Sequence, residues 1–168
     1  MKKPFLIGAA GVLLLVGALF YIGQPKEKEE QGNAYQGKAE IVSAFQAQES
    51  AYDFGTVRMA NGNVNHVFSV RNAGETPMKI EKIFTSCMCT TAFAEQGGKR
   101  KGPFGMPGHG IVPKANIELA PGEEIGIDVV FNPNAHGPAG VGPIERQIYL
   151  VDEKGAEQVF AISGTVTP

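Results

Sequence analysis

The sequence contains no complete catalytic motif. It has no nucleophile elbow, no phosphate-binding glycine loop, no His-Glu-x-x-His and no dinucleotide fingerprint. The expectation is therefore a protein that is not an enzyme. A Cys-His hydrolase would need a thiolate–imidazole pair and an oxyanion hole, and no local sequence orients those ingredients. A basic excess is missing too. Five of the 15 Lys/Arg and three of the 17 Asp/Glu precede residue 39, which leaves 10 basic and 14 acidic residues in the remainder. Such a mildly acidic domain excludes a nucleic-acid partner, since phosphate binding needs a basic face. The short run Lys99-Arg100-Lys101 reads as a solvated loop. There is no internal repeat and no convincing helical period after the first segment. Cysteine is scarce: Cys87 and Cys89 are the two in the chain, and none lies near the N-terminal apolar run, which argues against a lipid-modified N-terminus.

That apolar run is the longest feature of the chain. From Phe5 to Gly23 every residue is apolar or small. About 19 residues make a helix of roughly 28 Å, close to the thickness of a bilayer's hydrocarbon core. A cleaved signal peptide would need a shorter core and small residues at its end. Leu19, Phe20, Tyr21 and Ile22 stand there instead. Residues 1–23 thus read as an uncleaved signal-anchor helix, with Lys2 and Lys3 holding its start in the cytoplasm. Residues 24–39 are polar and aperiodic, and read as a flexible tether. The expected location is a single-pass membrane protein with residues 40–168 on the extracytoplasmic side, periplasmic or cell-surface. Its expected partners are the membrane and another envelope protein.

Over residues 40–168, Gly, Pro and Asn punctuate the chain about every ten residues, which suits a sandwich or barrel. Ile41 to Ala47, Tyr52 to Met59, Val64 to Val70, Met78 to about Thr91, Ala115 to Leu119, Ile125 to Phe131, a segment with Ile148 and Leu150, and Phe160 to Val166 read as strands. Val64, His66, Phe68 and Val70 share one face by alternation. The Gly/Pro-rich stretches 95–114 and 132–143 read as long loops that cannot be regular strands.

Three groups of residues resemble a known pattern: Tyr52-Asp53-Phe54-Gly55-Thr56-Val57, His66 to Gly74, and Thr85-Ser86-Cys87-Met88-Cys89-Thr90-Thr91. Together with Pro121-Gly122-Glu123, the strand ending in Phe131, and Gly164 with Val166, they resemble a bacterial Ig-like family, domain of unknown function DUF1573. The Ser-Cys-x-Cys-Thr element is the most specific part. Met88 stands where the family usually has Gly, and the stretch before Lys114 is longer than usual. The resemblance implies an all-β, Ig-like antiparallel β-sandwich outside the cytoplasm, and implies no enzyme activity. With the first segment, the expected fold is such a sandwich preceded by one N-terminal transmembrane helix.

In an extended chain, residues i and i+2 point to the same side, so Cys87 and Cys89 present two sulfurs together. Three readings stand: plain structural thiols, a strained vicinal-type disulfide that is easily reduced, or ligands of a soft metal. Suppose that successive strands alternate direction. Then Cys87, Cys89, both long loops, His66 and Met59 lie at one end of the sandwich. That end gathers the candidate metal ligands Cys87, Cys89, His109, Met106, His136 and His66. Thiolate, thioether and imidazole suit Cu(I), and without the thioether they suit Zn. Each histidine also has a plainer explanation, as a hydrogen-bonded rim or loop residue, and methionines more often pack than ligate. The sequence thus supports a membrane-tethered extracytoplasmic binding or scaffold module, with a Cu- or Zn-binding domain as one alternative and a thiol redox protein as another.

Overall fold

The computed structural model describes residues 44–110 and 112–168. The expected anchor, tether and start of the first strand lie outside these residues. The described chain forms ten strands: β1 (Phe45–Ala47), β2 (Ala51–Arg58), β3 (Val64–Asn72), β4 (Met78–Thr85), β5 (Thr90–Gln96), β6 (Lys99–Phe104), β7 (Ile117–Leu119), β8 (Glu124–Phe131), β9 (Gly142–Asp152) and β10 (Glu157–Thr167). Short 3-10 turns occupy Met59–Asn61 and Gly137–Gly140. Among the described residues there is no α-helix, and hence no helix long and apolar enough to cross a membrane.

Two five-stranded sheets result, ordered β1-β3-β8-β5-β6 and β2-β10-β9-β4-β7. Alternation explains their contact. In β3, Phe68 and Val70 are buried while Val67 is 46% exposed. In β8, Ile125, Ile127, Val129 and Phe131 all turn inward. The other sheet answers with Ile80, Ile83, Ile148, Leu150, Phe160 and Ile162. Phe68 stacks on Phe160 across the gap, with ring centroids 4.6 Å apart. Burying such large side chains is the main favourable term in holding the two layers together.

The expected all-antiparallel pairing is corrected at one place. β2 runs parallel to β10, with Ala51 opposite Ala161 and Arg58 opposite Thr167. A parallel neighbour has to come from far away in the chain, and local alternation carries no sign of it.

The stretch 95–114 is also corrected. It is not a loop throughout, because β6 runs through it and pairs antiparallel with β5. Gln96 pairs with Lys99, and the two residues between them, Gly97 and Gly98, have φ of +55° and +75°. Positive φ at both positions is the two-residue hairpin turn whose twist matches the strands it joins. Lys99-Arg100-Lys101 lies on this edge strand, where charges block further pairing. The irregular parts are the described residues 105–110 and 112–116. In 132–143, likewise, Gly142 and Pro143 already belong to β9.

The run from Met78 to Thr91 is two strands, not one. β4 belongs to one sheet and β5 to the other, and the chain crosses between them at Ser86–Cys89. The extra passes are β5 and β6, which are two in number. Strand parity is therefore unchanged, and the cysteine turn, the start of the Gly105 segment and the segment after β8 do share one end. Pairing of Val64 and Thr90 with Phe131 places those strand ends together.

Candidate thiol and imidazole site

Cys87 and Cys89 sit in a turn, not in an extended strand. The Thr90 N–H donates to the Cys87 carbonyl at 3.1 Å. Buried Thr85 straps the turn from beneath, its hydroxyl lying 3.1 Å from the Cys87 carbonyl and 2.9 Å from that of Thr90. Strand alternation therefore does not place the two sulfurs on a shared side. The turn brings the sulfurs together instead, and the Cys89 backbone N–H points at Cys87 Sγ, 3.4 Å away. Both residues are free thiols, Cys87 half-buried and Cys89 only 2% exposed.

Two further segments close on this turn. The Asn132 N–H donates to the Cys89 carbonyl at 2.8 Å, which pins the start of the β8–β9 connection to it. The connection then coils tightly, with Ala135 N–H donating to Asn132 O and Gly137 N–H to Asn134 O. His136 is carried back over the turn, and its Nε2 lies 3.3 Å from Cys87 Sγ. Gly140 backs it: a Cβ there would sit 3.2 Å from the His136 Cβ. On the other side, Ser86 and Gln147 exchange two hydrogen bonds, both at 2.9 Å. These hold β9 in register beside the turn, and Arg146 Nε donates to Cys89 Sγ at 3.2 Å.

The electrostatics split the two thiols. Burial pushes the Cys87 thiol up, but hydrogen bonds from the Cys89 thiol and N–H and from His136, with the charge of Arg146, outweigh it. The result falls from 9.0 to about 7. Burial raises Cys89, and sharing a proton with Cys87 raises it further, against the opposing bonds from Arg146 and Thr90. Cys87 is thus the more acidic thiol of the pair, ionising around neutral pH, and Cys89 the less acidic one.

One ligand atom from each of Cys87, Cys89 and His136 lies within 4.8 Å of the others, so this cluster can hold a metal ion. The other sequence candidates are placed elsewhere. His66 bonds Glu49 at 2.5 Å and stacks on Tyr52 at 3.6 Å, the arrangement of a rim histidine. His109 is exposed, its N–H donating to the Met106 carbonyl at 3.2 Å. Neither joins the cluster. Met106 is half-buried and leaves the fold beside the base of the turn, since Gly105 O accepts the Thr85 N–H at 3.2 Å. Met88, between the cysteines, is 49% exposed.

Sequence reasoning missed Arg146. Its signal was parity: Arg146 shares the inward register of Ile144, Ile148 and Leu150, all buried. A cation in an apolar register points to an anionic neighbour.

No curated protein matches the sequence. Among solved structures, a protein of unknown function from Porphyromonas gingivalis W83 superimposes with a TM-score of 0.53 at 12% identity. The match covers 76% of this chain and 51% of that one, so the chain spans about half the length of that relative. A family 123 glycoside hydrolase from Clostridium perfringens matches at 6% identity and TM-score 0.50, over 70% of this chain and 22% of the enzyme. The human CEP192 PapD-like domain 7 gives 13% identity and TM-score 0.44, over 74% and 85%. At such identities the first two show a shared fold and nothing of function. The family resemblance read in the sequence is matched directly: residues 45–102, with the Cys87 and Cys89 element inside them, match the model of the family described as "Protein of unknown function (DUF1573)".

Proposed function

We propose that the chain is a membrane-tethered, extracytoplasmic β-sandwich binding module whose working end takes one soft metal ion through Cys87, Cys89 and His136. The observation that carries this reading is the mutual approach of the three ligand atoms within 4.8 Å. With metal–sulfur and metal–nitrogen bonds of about 2.3 and 2.0 Å, a tetrahedral S···N edge is roughly 3.5 Å. The Cys87–His136 distance is 3.3 Å, so the site needs little movement to close on an ion. A Cys87 pKa of about 7 also means that binding at neutral pH displaces few protons from that ligand. Two sulfurs and one imidazole are a donor set for Cu(I) or Zn(II).

The tether and compartment in this proposal rest on the Phe5–Gly23 run and on Lys2 and Lys3. The expected partner is another envelope protein, which delivers or accepts the ion. The site binds and does not catalyse.

The acidity split between the cysteines favours a second reading, a thiol redox protein with Cys87 as attacking thiolate and Cys89 as its resolving thiol. Elemental analysis with a thiol count separates the two. The domain, purified under reducing conditions and given Cu(I) or Zn(II), should hold one ion per chain, with both thiols masked until a chelator is added. Two freely reacting thiols and no retained ion would remove the metal reading and leave the redox one.

A further inference from the structure

Arg146 is half-buried and its charge faces sulfur. Nε donates to Cys89 Sγ at 3.2 Å, and Nη1 donates to the Glu145 carbonyl at 2.7 Å. Among the described residues no carboxylate lies within ion-pair distance of it; the ion pairs there involve His66, Arg100 and Lys114. An arginine stays protonated in essentially any protein setting. It is therefore a fixed positive charge built against the thiol pair, on a register where its near neighbours Ile144, Ile148 and Leu150 are aliphatic.

We infer that Arg146 sets the charge of the ion the site accepts, selecting monovalent Cu(I) over divalent Zn(II). The inference rests on the metal-binding reading above. Two thiolates and a neutral imidazole carry a charge of minus two. Cu(I) leaves that cluster at minus one, and Arg146 brings it to zero. Zn(II) already makes the cluster neutral, and Arg146 then leaves an uncompensated positive charge. Cys89 is 2% exposed, so on its side of the cluster, where Arg146 lies, a net charge is less well solvated than at the exposed His136. The N–H···S bond survives metal binding, because a coordinated thiolate keeps lone pairs, and hydrogen bonds to such sulfurs tune the metal they hold.

Competition titrations with Cu(I), Ag(I), Zn(II) and Cd(II) test this on the reduced protein and on Arg146→Gln and Arg146→Lys. Ag(I) shares its charge with Cu(I). Cd(II) shares its charge with Zn(II) but is softer, so charge and softness are separated. Arg146→Gln should lower the ratio of Cu(I) to Zn(II) affinity at least about tenfold. Ag(I) should follow Cu(I), and Cd(II) should follow Zn(II). Arg146→Lys, which keeps the charge, should recover most of the ratio. If Arg146→Gln does not fold, Arg146→Met, suited to the inward face of β9, provides the same comparison. Four affinities that shift by one common factor, or do not shift, would overturn the selection and leave the metal site standing. A wild-type protein that binds none of the four ions overturns both readings.

Discussion

Cys87 Sγ and His136 Nε2 lie 3.3 Å apart, although 49 residues separate them in the chain. The contact depends on the bond that ties Asn132 to Cys89 and on the tight coil that returns His136 over the turn. It follows that imidazole, and not thiol proximity alone, defines the site. His136→Ala should weaken metal binding at least tenfold, the lower range for loss of a group that tunes or ligates a metal. His66→Ala and His109→Ala should leave it unchanged, since neither residue joins the cluster. Chelator competition on the three variants checks this. An effect of His109→Ala equal to that of His136→Ala would mean that the Gly105–Asn116 segment folds onto the site.

The two thiols should titrate separately. Iodoacetamide should alkylate Cys87 with a rate that rises through about pH 7, while Cys89 should require a higher pH. The sign follows from the thiolate being the nucleophile: lowering the pKa raises the reactive fraction at a given pH. Mass spectrometry of partly modified protein assigns the order. Equal rates at pH 7, or Cys89 reacting first, would show that the hydrogen bonds to Cys87 are not as described.

Phe68→Ala and Phe131→Ala should each destabilise the domain by about 3–5 kcal/mol. Both rings are at most 2% exposed, and Phe68 loses its stack on Phe160 as well. Denaturant melts give the values, and a loss below about 1 kcal/mol at either site would mean that the cavity collapses freely.

These core positions were legible in the sequence, and the site only in part. Alternation around Phe68 and around Ile125–Phe131 reads directly because β3 and β8 each bury one face rich in large side chains. β5 was hidden because its inward residues are Ala92 and Ala94, too small to mark a face. β6 was hidden because an exposed edge strand bearing Lys99, Arg100 and Lys101 has the composition of a loop. The Gly97-Gly98 turn was the available signal. The parallel seat of β2 beside β10 is a long-range fact with no local trace. For the site, strand parity brought Cys87, Cys89 and His136 to one end. It could not distinguish His136 from His66, because parity fixes the end of a sandwich and not the direction of a side chain. Arg146 was readable from its inward register beside Ile144 and Ile148, had the register of β9 been traced through it.

Removing residues 1–23 should yield a soluble, cooperatively unfolding protein, because the core cluster is drawn from residues 45–166. In intact spheroplasts, added protease should reach the domain while the extreme N-terminus stays protected, as Lys2 and Lys3 dictate. Aggregation of the truncated chain would contradict the first expectation, and full protection of the domain would contradict the second.

The central claim is that Cys87 and Cys89 hold a soft metal ion, and a chelator-competition titration of the reduced soluble domain against Cys87→Ser/Cys89→Ser tests it most directly. Wild type should take up one Cu(I) per chain, with affinity falling as the pH drops because Cys89 must release its proton, and falling more steeply below about pH 7 where Cys87 gains one as well, and the double variant should take up none. Indistinguishable titrations of the two proteins with both Cu(I) and Zn(II) would contradict the account.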